Sequence, residues 1–374
     1  MNKSLNSVCT LVPALDHQDQ ALASAFAVLQ EAIERRAFPA ACTAVAHRDR
    51  LVGLKSFGHF TYEADSPSAT PDTVFDLASV TKVVATTTMA MILYERGLLE
   101  LDATVGGTVP EFPADSSGEL DRRRRDVSFR MLLAHCSGLP AYGKLFLKAH
   151  SRDEMLRAAL ATSLSADPGT HAEYSDIGFI LLGAALERIA NQSLDAFCHR
   201  EIFGPLAMIH TTFHPAAAAR GKIPPTADDR TFRLKIIQGE VQDENAFVLG
   251  GVAGHAGLFS TAADLARFAH AMLHGGGPIL RPETVALFTR RASAPPGTSR
   301  ALGWDTPSAP SQSGKHFGPS AFGHLGYTGT SLWIDPERQL SIILLTNRTW
   351  PDCANHAIKR VRPKFHDAVV EALI

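Results

Sequence analysis

Cysteine is scarce and unpatterned in this chain: Cys9, Cys42, Cys136, Cys198 and Cys353 are its five, spread over 374 residues. No C-x-x-C pair occurs, so neither a disulfide framework nor a zinc knuckle is expected. An excess of one charge is lacking too. The 36 Lys and Arg nearly balance the 38 Asp and Glu, for a net charge of −2. No global field therefore draws in nucleic acid or an anionic membrane. The one basic run, Arg122 to Arg125, lies between Asp121 and Asp126 and reads as a solvated loop. No apolar stretch approaches the ~20 residues of a membrane span. Asn6, Ser7, Thr10 and Pro13 break up the N-terminal segment, so no signal-peptide core forms and a cytoplasmic protein is expected. Two hydrolase signatures are missing: the G-x-S-x-G elbow and the H-E-x-x-H zinc motif. The 16 histidines are dispersed, and neither a metal nor another cofactor is expected.

What is present is an ordinary globular composition, 45% apolar and 20% charged, able to bury a sizeable core. Residues 17–36 carry apolar positions at helical spacing. Residues 40–60 hold two apolar stretches split by Arg48-Asp49-Arg50, the pattern of a β-hairpin. A polar loop follows, and then a long buried helix from Leu77 to Arg96, stopped by Gly97. Helical patterns dominate to about residue 290, at 128–135, 153–163, 176–191, 194–203 and 262–274. Beyond 300 the stretches Ser331–Ile334 and Gln339–Thr346 are strand-like, with a turn at Pro336-Glu337-Arg338, and 354–372 forms a closing helix. The expected fold is α+β. Residues 17–70 and 300–374 build an antiparallel sheet lobe flanked by terminal helices, residues 71–299 an inserted all-helical lobe, and the cleft between them holds the site.

Three short patterns carry chemistry. In Ser79-Val80-Thr81-Lys82, positions i and i+3 share a helix face, so the Lys82 amine can sit beside the Ser79 hydroxyl. A serine alcohol needs a neighbouring base, and burial among Phe75–Leu77 and Val83–Met91 would lower the lysine's pKa toward that role. Tyr174-Ser175-Asp176 precedes an apolar helix. Tyr174 can relay a proton to a leaving group, while Ser175 or Asp176 caps the helix. His324-Leu325-Gly326 precedes Tyr327-Thr328-Gly329-Thr330. An edge strand there could lend a backbone N–H to an oxyanion, together with that of Ser79. Taken alone, His324 reads as a plain polar surface residue. His255 in VAGHAG faces the cleft or is a loop histidine. Glu240, Asp243 and Glu244 bind a substrate or form a solvated loop.

Order and context make these patterns specific. With LLAHCSGLP (132–140), PGTHAEYSDIGFILLGAALE (168–187), GLFSTAADLARF (257–268) and HLGYTGTSLWIDP (324–336), the chain resembles the serine hydrolases grouped with class C β-lactamases, low-molecular-weight penicillin-binding proteins and related esterases. The resemblance covers roughly residues 70–350. It implies a β-lactamase/transpeptidase-like fold and an acyl-enzyme on Ser79, with Lys82 as base and Tyr174 as proton relay. The N–H groups of Ser79 and Tyr327 would form the oxyanion hole. Asp176, His324 and Gly326 would contact substrate, with His255 and Asp243 as further candidates. The segment 239–260 is similar to a narrower branch of muropeptide amidases and D-alanyl-D-alanine carboxypeptidase-like proteins. That branch carries His where this chain has Gln242. His324 replaces the Lys of β-lactam-binding enzymes, and Asp176 their Asn. The expected partner is a small or peptide substrate, with amide, peptide or ester cleavage exceeding β-lactam hydrolysis. A carboxylesterase, a β-lactamase and a non-hydrolysing sensor are the alternatives. If His324 must be cationic to hold a carboxylate, activity on carboxylate substrates rises as pH falls toward ~6.

Overall fold

The computed structural model describes residues 10–112 and 121–374. Cys9 and the start of the N-terminal segment lie outside the described residues. Six strands form one sheet: β1 (Val12–Pro13), β2 (Ala40–His47), β3 (Arg50–Gly58), β4 (Phe322–Leu325), β5 (Ser331–Asp335) and β6 (Leu340–Thr346). Their order is β1-β3-β2-β6-β5-β4. The two chain ends meet in the middle of the sheet, where β2 and β6 pair antiparallel from Ala41↔Thr346 to His47↔Leu340.

Both faces of these central strands are covered. Ala40, Cys42, Ala44, Ile343 and Leu345 belong to the large core shared with the helical part of the chain. Ala41, Val45, Ile342 and Leu344 point the other way, into a second core. Helices α1 (Ala23–Glu34) and α4 (Ile358–Leu373) close that second core with Phe26, Leu29, Phe365 and Val369. Burial on both faces explains why the strands read as continuous apolar runs. On the inner face, α3 (Ala262–Leu273) packs against β2, β5 and β6. The apolar α2 (Asp176–Ala190) lies deeper in the large core.

Four expectations need correction. The sheet is not antiparallel throughout, because β1 pairs in parallel with β3 over two residues; α1 and β2 supply the crossover that a parallel pair requires. The stretch 71–299 is not all helical. Phe75–Asp76 pairs with Phe259–Ser260, and Ala227–Asp229 pairs with Lys235–Ile237. The second ladder is a local hairpin whose turn is held by the Asp229 carboxylate, which accepts from the N–H groups of Thr231, Phe232 and Arg233. The first helix breaks at Leu22 into Gln18–Ala21 and α1. Finally, the basic run is not wholly solvated. Arg124 is fully buried, and its guanidinium donates to the carbonyls of Phe112, Leu160 and Thr162.

Candidate active site

Ser79 opens a composite helix: a 3₁₀ turn at Ala78–Val80, a π-helical stretch at Lys82–Thr87, and a regular α-helix at Thr88–Glu95. Gly97, at φ +67°, then turns the chain away. Wide turns of this kind often accompany functional sites. The entry is anchored by Asp76, whose buried carboxylate accepts from Ala78 N–H at 2.8 Å and Gln242 N–H at 2.7 Å. That local bond supports the left-handed φ of +46° at Ala78, a conformation that costs energy for a residue with a Cβ. Burial is the main cause that pushes Asp76 up to about 6.

The i, i+3 spacing does bring Lys82 to Ser79. The Lys82 ammonium donates to Ser79 Oγ at 3.0 Å, to Asp176 Oδ1 at 2.7 Å and to the His255 carbonyl at 2.9 Å. Its side chain is fully buried, and desolvation lowers its pKa against the opposing pull of Asp176. Tyr174 donates its phenol proton to Ser79 Oγ at 2.7 Å. The Lys82 ammonium and the Arg300 guanidinium lie 4.9 and 5.4 Å from the centre of the Tyr174 ring. Desolvation nevertheless raises the phenol well above its ordinary pKa, so it stays protonated. Ser175, not Asp176, caps α2, accepting from Gly178 N–H at 3.0 Å. Asp176 is thereby free to pair with Lys82.

The other wall is the edge strand β4 and the loop after it. Thr328 and Thr330 hydroxyls donate to the carbonyls of Asp76 and Leu77, which ties this loop to the segment just before Ser79. Gly326 is required there, since a Cβ would stand 2.4 Å from the Leu77 carbonyl oxygen. Among the described residues, the backbone N–H groups of Ser79 and Tyr327 meet no backbone acceptor. Ser79, Tyr174, Asp176, Gln242, Asp243, Glu244, Gly326 and Tyr327 all line one cleft of about 640 Å³. Arg348, Lys359 and Arg362 line it as well, with Arg348 and Arg362 donating to the Tyr327 and Gly326 carbonyls.

One expectation fails here. His324 is neither a surface residue nor a carboxylate receptor titrating near pH 6. It is 3% exposed and donates through Nδ1 to the Leu325 carbonyl. Its ring lies 6.0 Å from that of Tyr174. Desolvation, with Lys82 and Arg300 adding to it, holds its pKa well below the ordinary histidine value. Of the two readings given for His255, the loop histidine holds: it lies between elements and does not line the cleft. It is buried, and its Nε2–H donates to Asp243 Oδ1 at 2.8 Å while its carbonyl receives Lys82. Asp243 also caps the helix Glu244–Val248 through Ala246 N–H. Desolvation raises the Asp243 pKa, but His255, the Ala246 N–H and Lys82 outweigh it and keep the group low. Glu240 turns away to Lys235.

Several participants had no separate signal in the sequence. Asp76, Arg300 and Arg348 are ordinary polar residues until the chain is folded, and Thr328 and Thr330 stood out only as part of the block 324–336. His135, within LLAHCSGLP, packs its ring 4.8 Å from Tyr174 and accepts Ser175 N–H at its Nδ1. Burial holds it neutral, and its place in that quoted block was the one hint available.

A sheet flanked by helices, with a serine and a buried lysine one helical turn apart at the cleft, defines the class of serine hydrolases that act through an acyl-enzyme. A family described as Beta-lactamase matches residues 25–362, and the chain belongs to it. The "N-acetylmuramyl-L-alanine amidase" of Bacillus subtilis (strain 168) is 33% identical over 346 residues, covering 83% of this chain and 77% of that protein. The "Putative D-alanyl-D-alanine carboxypeptidase" of Salmonella agona (strain SL483) is 33% identical over 332 residues, covering 80% and 75%. Among solved structures, "EstCE1, a hydrolase with promiscuous acyltransferase activity" has a TM-score of 0.74 at 24% identity, covering 94% of this chain and 99% of that one. A penicillin-binding protein homologue from Caulobacter crescentus has a TM-score of 0.74 at 19% identity, covering 95% and 98%. At these identities the structures speak to the fold alone. Among the described residues, no helix is long and apolar enough to cross a membrane.

Proposed function

We propose that this chain hydrolyses an amide or peptide bond of a cell-wall muropeptide through an acyl-enzyme on Ser79. The observation that carries the reading is the pair of hydrogen bonds on Ser79 Oγ, from Lys82 Nζ and Tyr174 Oη. An ammonium has three donors, and those of Lys82 are spent on Ser79, Asp176 and the His255 carbonyl. A carbonyl can only accept, and so can an ionised carboxylate. Ser79 Oγ alone can turn its hydrogen bond round and donate. Once Lys82 is neutral, its lone pair is therefore directed at the serine proton. Oγ then attacks the scissile carbonyl, and the N–H groups of Ser79 and Tyr327 receive the oxyanion. Tyr174 passes its proton to the leaving amine and regains one from the lysine side. Water then releases the acyl group by the same route.

The substrate class rests on the amidase relative and on the charged residues that line the cleft. Asp243 and Glu244 suit an amine or hydroxyl-rich part, and Arg348 and Lys359 suit a carboxylate. The same architecture supports our division into a sheet lobe, 17–70 with 300–374, and a middle lobe, 71–299, around the cleft. The test is to label the protein with a fluorophosphonate, map the adduct, and measure turnover on muramyl-peptide amides, D-Ala-D-Ala peptides, short esters and nitrocefin. Labelling at Ser79, its loss in Ser79→Ala and fastest turnover on a muramyl-peptide amide are expected. Fastest turnover on nitrocefin indicates a β-lactamase, and fastest turnover on a short ester an esterase. One equivalent of product with no steady state indicates a sensor.

A further inference from the structure

A second polar cluster lies at the opposite end of α3 from the nucleophile. The residues just before α3 pair with Phe75–Asp76, and its twelve residues then carry the chain about 18 Å onward. There His270 and His274, four residues apart, share one face of the helix end. The two-residue turn between β2 and β3, Arg48–Asp49, reaches the same place with both residues at positive φ, +48° and +62°. Metal-ligand atoms of Asp49, His270 and His274 all lie within 4.8 Å of one another. His274 Nε2 and Asp49 Oδ1 approach to 2.5 Å, yet neither atom makes a hydrogen bond of acceptable geometry.

We propose that Asp49, His270 and His274 form a binding site for a divalent transition metal of the Zn²⁺ type. Two imidazoles and one carboxylate are the donor set such an ion prefers, and Zn–N and Zn–O bonds of ~2.0–2.2 Å place tetrahedral donors roughly 3.4 Å apart. Asp49 and His274 are partly exposed, so small side-chain rotations open the short contact and close the longer ones. A cation here also lies at the C-terminal end of α3, the end of the helix dipole that favours positive charge. The site does not line the cleft. Its effect is structural: a clip that fastens the β2–β3 turn to the end of α3, and so one rim of the sheet to the helix beneath it. Three protein donors leave a fourth position open to water.

The experiment uses the full chain without an affinity tag, dialysed against EDTA at pH 7.5. Co²⁺ is titrated as a spectroscopic probe and Zn²⁺ by calorimetry and thermal unfolding. One Co²⁺ per chain with tetrahedral d–d absorption is expected, and Zn²⁺ at ~100-fold above its Kd should raise Tm by a few degrees. Loss of an outer-shell partner alone costs ~10–100-fold in metal affinity. Asp49→Ala and His274→Ala, which remove ligands, should each cost at least about that much. Both variants should keep wild-type ester hydrolysis in metal-free buffer. A plain His274–Asp49 ion pair would bind no Co²⁺ below about millimolar concentration, and that result overturns the proposal. So does binding that persists unchanged in both variants, which would place the ion elsewhere.

Discussion

Among the described residues two cations, Lys82 and Arg124, are buried completely, and they are used in opposite ways. Arg124 meets backbone carbonyls, and its guanidinium lies 5.2 Å from the centre of the Phe112 ring. Guanidinium does not give up a proton in a protein, so Arg124 ties loops of the helical region together. Lys82 has an equally dry position, but its partners are a carboxylate, a carbonyl and a hydroxyl. Burial lowers its pKa, and one partner can reverse the direction of its hydrogen bond. A buried cation becomes a candidate for chemistry when its proton can leave and a neighbour can supply another.

The comparison breaks most readily at Lys82. Lys82→Arg keeps the charge and removes the proposed base, so kcat/KM should fall ~10³- to 10⁴-fold at every pH tested. In the wild type, kcat/KM on a neutral ester should rise with pH as Lys82 loses its proton, with a midpoint below that of free lysine. Near-normal activity of the arginine variant would make the two cations equivalent and end the distinction. Arg124→Met should do the reverse. It leaves buried carbonyls without their donor, at a cost of about 3 kcal/mol in urea unfolding, while kcat/KM of the folded enzyme stays at the wild-type value. A loss of kcat/KM there would show that Arg124 also shapes the cleft.

Tyr174→Phe sharpens the Lys82 side of the comparison. Removing the phenol leaves the lysine as sole proton carrier, and a loss of ~10²-fold in kcat is expected. Unchanged kcat would take Tyr174 out of the proton path. The smallest effect concerns Asp76, the buried anion that anchors the nucleophile segment. Its carboxyl titrates at about 6 in the fold against an ordinary 3.8. The folded state thus holds the extra proton between those values, so its stabilising contribution is full below 3.8 and lost as pH rises through about 6. Tm should therefore decline by a few degrees from this group over that window. In Asp76→Asn that component of the slope should vanish, even though the variant is less stable throughout.

The contacts within Ser79-Val80-Thr81-Lys82 and Tyr174-Ser175-Asp176 were legible because they rest on local spacing, whereas the order of these patterns with His324-Leu325-Gly326 was legible through the family resemblance. An i, i+3 pair shares a helix face wherever the helix lies, and a capping serine precedes an apolar helix by rule. The β2–β3 hairpin and the β5–β6 turn were legible for the same reason. The charge at His324 was not, because reading it as exposed or titrating near pH 6 required knowing what covers it. Arg124 looked solvated because four arginines in a row reveal nothing about which of them turns inward.

By itself, the sequence determined the α+β class and the contact between Lys82 and Ser79. These follow from periodicity and from residue types a few positions apart. Only the tertiary structure decided which partners surround them. The pairs Asp76 with Gln242, Lys82 with Asp176 and the His255 carbonyl, Thr330 with Leu77, and Asp49 with His274 are all far apart in the chain. Hydrogen-bond direction, burial and the resulting proton affinities depend on distances of a few ångströms in space. Those distances are set by how the two ends and the middle of the chain pack, which local spacing does not encode.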